Sequence, residues 1–465
     1  MSLTSMTPPR IAVIGGGISG LVAAYRLMKQ GRAVTLLEGS AQLGGLGTFF
    51  EHDGHTFEKF YHCMLPSDGP LLALLDELGL SHDIYWKPTT FAYAEGEKIF
   101  PLNRAVDLLK FGPLSFWDRL RVGFTGLYGR MVKSTGLDEI TTAEWLEKLS
   151  GARAFKKFWQ PMLEAKFGDA WSGVPALWFW TRFNREKGDS KGECKGYVKG
   201  GYKRIIQALE AALRDGGAVI RMNEPVQKIE LAEDGTPVVE TSRFTERFSQ
   251  VVVTSPWPTF AQAVGDRLKT EAGNISWDID FQGVINAVFL LKRPLTSHYW
   301  LATPEEGYPF DGIVETSTLT NAEDRGQAGR TVVYLTKYLH RRDARYAARD
   351  EDIRENWFAS LKRLFPALGE EHVEASYIFR APFVEPIYTK GFLNRRAPEV
   401  LIPGRIFLST TVQVYPTVTS WNGSVGQVEK TIQALNDSPS VAAPSVSNAG
   451  KPSAKLIQAA AAAMV

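Results

Sequence analysis

Cysteine is scarce. Cys63 and Cys194 are the two in 465 residues, too few for a disulfide framework, and neither lies in a CxxC or Cys/His cluster that would hold zinc. Their scarcity points to a reducing, cytoplasmic compartment and to no bound metal. Net charge is nearly absent as well: 53 Lys and Arg stand against 51 Asp and Glu, a balance that implies no nucleic-acid partner. Also missing is an uninterrupted apolar run. The opening MSLTSMTPPR has prolines and one arginine but no short apolar core with a cleavage site, so a secretory signal is not expected. The stretch from Ile11 to Leu27 is apolar enough to suggest a membrane span, yet four glycines, Ser19 and Arg26 divide it into strand, turn and helix. No transmembrane segment and no internal repeat is evident elsewhere.

What is present is the composition of a globular protein, with 44% hydrophobic and 22% charged residues, in a chain longer than one core usually organises. Two domains are therefore expected. IAVIG, residues 11–15, reads as a buried strand, Leu21 to Lys29 has helical spacing, Gly31 ends that helix, and Ala33 to Leu37 forms a second strand that stops at Glu38. Together they make a strand–helix–strand unit of about 30 residues. From Leu71 to about Val198 the pattern becomes amphipathic and rich in Trp, Phe and Arg, which predicts a mostly helical insertion, one helix opening with a capping arrangement at Thr141-Thr142 and Glu144. After Gly200-Gly201 a helix, YKRIIQALEAALRDGG, leads back to buried strands ending in VVVTSP. Residues 280–340 alternate as strands (GVINAVFLL, TVVYLTKYL), a helix follows near Glu351 to Phe365, and a strand near Gly404 to Thr410. Beyond Leu435 the chain turns Ser/Pro/Ala-rich, which predicts a disordered tail.

Gly15, Gly17 and Gly20 form GxGxxG around Ile18 and Ser19, between that first strand and helix. The glycines serve a tight turn, close backbone approach to a diphosphate and close helix packing, while the helix start offers N–H groups to the phosphates. Glu38 ends the next strand, placed to accept hydrogen bonds from ribose hydroxyls and to disfavour a 2′-phosphate. The continuation, Gly39 and then Gly44, Gly45, Leu46, Gly47 and Thr48, resembles the superfamily of flavin-containing amine oxidases, protoporphyrinogen oxidases and phytoene desaturases. The resemblance implies FAD, with this loop running beneath its phosphates and ribityl chain. It extends to Val226, implied to pack beside adenine, to Pro256 and Trp257 in VVVTSPWP, and to a last helix whose start carries Asn422, Ser424 and Val425. Ser409-Thr410-Thr411 departs from the family's Gly-Asp. The segment GLGTFFEHDGHTFEKFYH looks most like a bacterial and archaeal subgroup described as protoporphyrinogen oxidase-like. UDP-galactopyranose mutases are relatives too, and use this fold without net redox change.

The implied fold class is α/β: a Rossmann-type FAD-binding domain from residues 1–70, 200–265 and 396–436, interleaved with an α+β substrate domain from 71–199 and 266–395, and a tail from 437 to 465. The implied function is an FAD-dependent oxidoreductase that abstracts a hydride from a C–H bond of a lipid-like or sugar-derived small molecule. The alternative is a redox-neutral mutase or isomerase. Tyr61, His62 and Tyr415 are the candidate reacting residues. Tyr61 and His62 follow the glycine loop with Glu58 and Lys59, either acting on substrate or walling the flavin, and Tyr415 precedes the last helix. Amine oxidases often carry a lysine opposite the flavin on the strand matching GVINAVFLL. Here Asn286 falls near that place and no lysine follows until Lys292. Lys166, Arg182 and Arg185 read either as anion binders or as a solvated basic face, Trp159 and Trp178 as core, and Tyr299, Trp300, Tyr334 and Tyr338 as pocket lining.

Overall fold

The computed structural model describes residues 10–185, 194–304, 307–326 and 329–439; the expected tail from 440 onward and the Arg185 side chain lie outside the described residues. Strands Arg10–Ile14 and Ala33–Leu37 pair in parallel with Ile14 opposite Leu37, and all but the first residue of each are buried. A strand covered on both faces must be apolar along its length, which is why IAVI shows no alternation. Gln250–Val253 and Ile406–Leu408 extend the sheet on one side and Val219–Arg221 on the other, all in parallel, with Val400–Ile402 antiparallel at the edge.

Helix Ile18–Lys29 covers one face between Tyr202–Asp215 and Trp421–Asp437. The other face, carrying Ala12, Ile14, Val251 and Val253, packs with Ile229 and Val239 of a three-stranded sheet, Val226–Leu231, Pro237–Thr241 and Thr245–Arg247.

A second, seven-stranded sheet runs in the order Val373–Pro386, Phe281–Leu291, Thr331–His340, Gly312–Glu315, Trp300–Ala302, Phe91–Glu95, Lys98–Pro101. Phe281–Leu291 is buried throughout. Its Ile285, Ala287 and Phe289 pack with Trp357 and Phe358 of helix Asp350–Leu364, and the period of two therefore turns Val284 and Asn286 the opposite way.

Residues 71–199 are less uniformly helical than their pattern predicts. Ile84–Pro88 pairs with Cys194–Val198, and Phe91–Glu95 with Lys98–Pro101 enters the seven-stranded sheet. Strands of four or five residues leave too short a period to stand out from amphipathic neighbours. Between them lies a helical layer that includes Phe116–Met131, Thr142–Ser150, Gln160–Phe167 and Ala176–Arg185. Thr141 caps the second of these: its Oγ1 accepts from Glu144 N at 3.0 Å and its own N donates to Glu144 Oε2 at 2.7 Å. Among the described residues no helix is long and apolar enough to cross a membrane, and no group of three His, Cys, Asp or Glu could hold a metal ion.

Candidate active site

A cavity of about 1410 Å³ opens where the carboxyl ends of the parallel strands meet the seven-stranded sheet. Its narrow chemistry begins at the first turn. Gly15 has φ +103°, a conformation that L side chains avoid, and its N–H donates to Leu37 O at 2.8 Å. Thr254 Oγ1, from the end of a third strand, lies 2.8 Å from Ile14 O and 3.1 Å from Gly15 O and braces the turn. A Cβ on Gly20 would fall onto the Gly15 carbonyl oxygen. Helix Ile18–Lys29 starts at Gly17 with no side-chain cap and no acid in its first turn, which leaves an anion-binding end.

The Glu38 carboxylate accepts from Gly16 N at 2.6 Å and Ser40 N at 2.8 Å, and is thereby fixed where ribose hydroxyls would meet it. Gly44 N donates to Gly16 O at 2.8 Å, docking the second glycine loop on the first. A Cβ on Gly45 would come 3.2 Å from Gly17 Cα. An uncapped helix start, a fixed carboxylate and backbone surfaces that side chains would fill fit the diphosphate and ribose of FAD. The cavity exceeds the usual 300–1,000 Å³ or so of a small-ligand site, which leaves room for a substrate beside the cofactor.

Of the expected cofactor residues, Gly15, Gly17, Ile18 and Ser19 line this cavity, as do Glu38, Gly39, Gly44, Gly45, Leu46 and Thr48. Val226, Pro256 and Ser424 line it from later segments. Gly20 and Gly47 are packing positions, the latter beneath the Trp421 ring. Asn422 does not face the cavity; its Oδ1 accepts from Leu71 N at 3.1 Å and caps helix Gly69–Glu77. Val425 is fully buried in the helix-side core. Thr254, Ser420 and Trp421 also line the cavity and were not anticipated. Ser420 carried a signal, since SWNG before an apolar-periodic run is an N-cap pattern, and its Oγ accepts from Gly423 N at 3.1 Å.

At the far end, Tyr61 and His62 line the cavity near Asn286, Tyr299, Trp300 and Tyr338. The Tyr61 hydroxyl is 3.3 Å from that of Tyr338, its ring packs on Trp300, and burial holds its pKa well above the usual phenol value, so it stays neutral. His62 Nδ1 lies 2.7 Å from Phe60 O, which makes Nδ1–H the donor and leaves Nε2 as an acceptor. Burial lowers its pKa to about 4, so the imidazole is neutral at physiological pH. Asn286 Nδ2 donates to Lys59 O at 3.3 Å, while its buried Oδ1 has no partner among the described residues.

Tyr415 lies elsewhere. It is 1% exposed, its hydroxyl donates to Asp138, and its ring packs on Tyr388 and Phe392. The residues between it and the last helix turn the chain, so Val418, Thr419 and Ser420 reach the cavity instead. Lys166 is not on a solvated face. Its Nζ sits 2.9 Å from Glu385 Oε2 and 4.0 Å from the Tyr338 ring centroid, in the cavity wall. Burial opposes its charge, but Glu385 and Tyr338 outweigh that, and its pKa is raised. Glu385 also accepts from Trp178 Nε1 at 3.1 Å. This triad joins residues more than 200 positions apart, and no local pattern could have announced it. Arg182 lines the same wall beside the Trp178 ring, and Trp159 and Trp178 are both core and wall. Tyr334 does not line the cavity; its hydroxyl donates to Glu58 O at 2.8 Å.

The family model described as flavin containing amine oxidoreductase matches residues 18–407. Among curated proteins, the chain is 23% identical over 292 residues to a coproporphyrinogen III oxidase of Staphylococcus aureus, covering 55% of this chain and 62% of that one. It is 27% identical over 277 residues to a phytoene desaturase of Cercospora nicotianae, covering 50% and 42%. The chain thus spans less than two thirds of the length of these relatives. Among solved structures, a putative protoporphyrinogen oxidase from Exiguobacterium sp. 255-15 superposes with a TM-score of 0.74 at 18% identity, covering 93% of this chain and 99% of that one. A reduced UDP-galactopyranose mutase superposes with a TM-score of 0.69 at 18% identity, covering 92% and 96%. At that identity the likeness is one of fold.

Proposed function

The chain belongs to the flavin containing amine oxidoreductase family, and from that premise we propose that it is an FAD-dependent oxidoreductase that dehydrogenates an activated C–H bond of a largely apolar substrate rather than an amine. Bound FAD supplies the acceptor for the hydride that leaves that bond. The observation that carries the reading is Asn286: this strand, Phe281–Leu291, turns an amide and no lysine toward the cavity.

Charge supports it. The acids at this end are already engaged, Glu385 by Lys166 and Asp311 by Lys337 at 2.6 Å, so an ammonium group entering would meet Lys166 and Arg182 with no unengaged partner among these acids. The space beside them is lined by Phe179, Phe183, Trp300 and Phe383, which suit a substrate whose bulk is apolar. These rings exclude water. Tyr61, neutral, donates a hydrogen bond, and His62 accepts one at Nε2. With a pKa of about 4, His62 is a weak base at neutral pH, which favours a reaction that asks little of a base, loss of hydride from carbon beside a heteroatom or an alkene. Two relatives named for oxidation or desaturation of non-amine compounds support the same reading.

Anaerobic mixing of the purified holoenzyme with polyprenyl, porphyrinogen, sugar-nucleotide and primary-amine substrates tests it. Bleaching of the flavin absorbance by a polyprenyl or porphyrinogen compound is expected. Comparable bleaching by primary amines would overturn the proposal, and turnover of a sugar nucleotide only after prior reduction, without net electron transfer, would replace it with the mutase reading.

A further inference from the structure

Helix Phe116–Met131 is built inside out. Its buried residues are the small or polar Asp118, Val122, Thr125 and Gly129, while Phe116, Trp117, Leu120, Phe124, Leu127 and Met131 are exposed, Trp117 by 68% and Met131 by 76%. At about 100° per residue the exposed side chains fall within about 120° of arc, opposite the buried four. A helix on a protein in water turns its large apolar residues inward, and a contiguous stripe turned outward marks a contact surface.

The stripe's borders are cationic. Arg121 flanks one edge and Arg119 and Arg130 the other, with Lys133 just beyond the helix end, and among the described residues none of the four has a carboxylate within ion-pair distance. The acids nearby are turned inward: Asp118 is held by Arg153 and Ser115, and Asp107 caps the preceding short helix. The neighbouring Val106 and Leu109 add to the exposed apolar surface. Aromatic and aliphatic side chains between flanking arginines complement a layer whose interior is apolar and whose surface is anionic.

We propose that this helix docks the protein in plane on an anionic phospholipid bilayer, with the stripe immersed and the arginines at the headgroups. The inner face of the same helix leads to the cavity. The Phe183 ring packs against Gly129, Trp180 Nε1 donates to Val132 O at 2.9 Å, and Phe183 lines the cavity. The docked face and the cavity wall are thus two sides of one helical layer. Docking does not depend on which substrate is oxidised.

Flotation of the full-length holoenzyme with phosphatidylcholine vesicles, with and without phosphatidylglycerol, tests the proposal. The protein is expected to float with the phosphatidylglycerol vesicles, to be released by salt, and to lose at least about tenfold of its bound fraction in the triple variant Trp117→Ser, Phe124→Ser, Met131→Ser. All three positions are exposed, and an unchanged flavin spectrum reports that the variant is folded. Failure of the parent to float with either vesicle, or equal flotation of the triple variant, would overturn the proposal. So would a dimer in vesicle-free buffer that the triple variant dissolves while neither protein floats, since the stripe would then be a contact between copies of this chain.

Discussion

Glu38 holds two backbone amides with one carboxylate, so its side chain is in place before any ribose arrives. Glu38→Ala removes the acceptor and unties Gly16 and Ser40 together. FAD affinity is expected to fall by about 10- to 100-fold, the worth of one or two charge-assisted hydrogen bonds; ultrafiltration of flavin from the variant measures it, and an unchanged Kd refutes the ribose role. His62 makes a prediction about acid. Its pKa is lowered from 6.5 to about 4 by burial. Between those values the unfolded chain binds a proton that the folded chain refuses, so the stabilisation present above 6.5 is lost as pH falls toward 4. His62→Gln is expected to flatten this part of the stability curve. Urea midpoints of parent and variant through that window measure it, and parallel curves would count against a buried, neutral imidazole.

The first strand, turn and helix were legible because their own signals are local: IAVI is apolar on both faces, and Gly15, Gly17 and Gly20 stand at the turn itself, although Thr254, which braces that turn, comes from far along the chain. Gly20 shows how little slack that leaves. Gly20→Ala puts a methyl group where the Gly15 carbonyl oxygen stands, so the helix must lift from the strand. A loss of about 1–3 kcal/mol and colourless purified protein are expected, checked by denaturant titration and the visible spectrum; a yellow variant of parental stability would show that the turn has room. Less was legible where partners come from afar. Phe281–Leu291 read as a strand, but which of its residues face the cavity depends on register with Thr331–His340 and Val373–Pro386. Tyr415 was expected at the flavin from its place before the last helix, and the turn that separates it from that helix leaves it in the Asp138 cluster instead. The reversed polarity of Phe116–Met131 was equally invisible, because an amphipathic pattern has the same period whichever face points out.

At the scale of the molecule, the cofactor end of the cavity is made by residues near 15–19, 38–48, 224–229, 254–256 and 420–424. A ligand touching all of them binds the folded chain and not the unfolded one. FAD in about hundredfold excess over its Kd is therefore expected to stabilise the apoprotein by about 2.7 kcal/mol. Calorimetry with increasing FAD measures this, and a melting temperature independent of FAD would mean that FAD does not bind the folded chain in preference to the unfolded one. The same sheet has a consequence for biosynthesis. Strand Gln250–Val253 pairs with Arg10–Ile14 on one side and with Ile406–Leu408 on the other. A nascent chain still attached to the ribosome therefore carries an open sheet edge at Val251, Val252 and Val253 until more than 150 further residues have been made. Translation speed across that interval, and any chaperone that shields the waiting edge, then governs how much of the chain matures rather than aggregates.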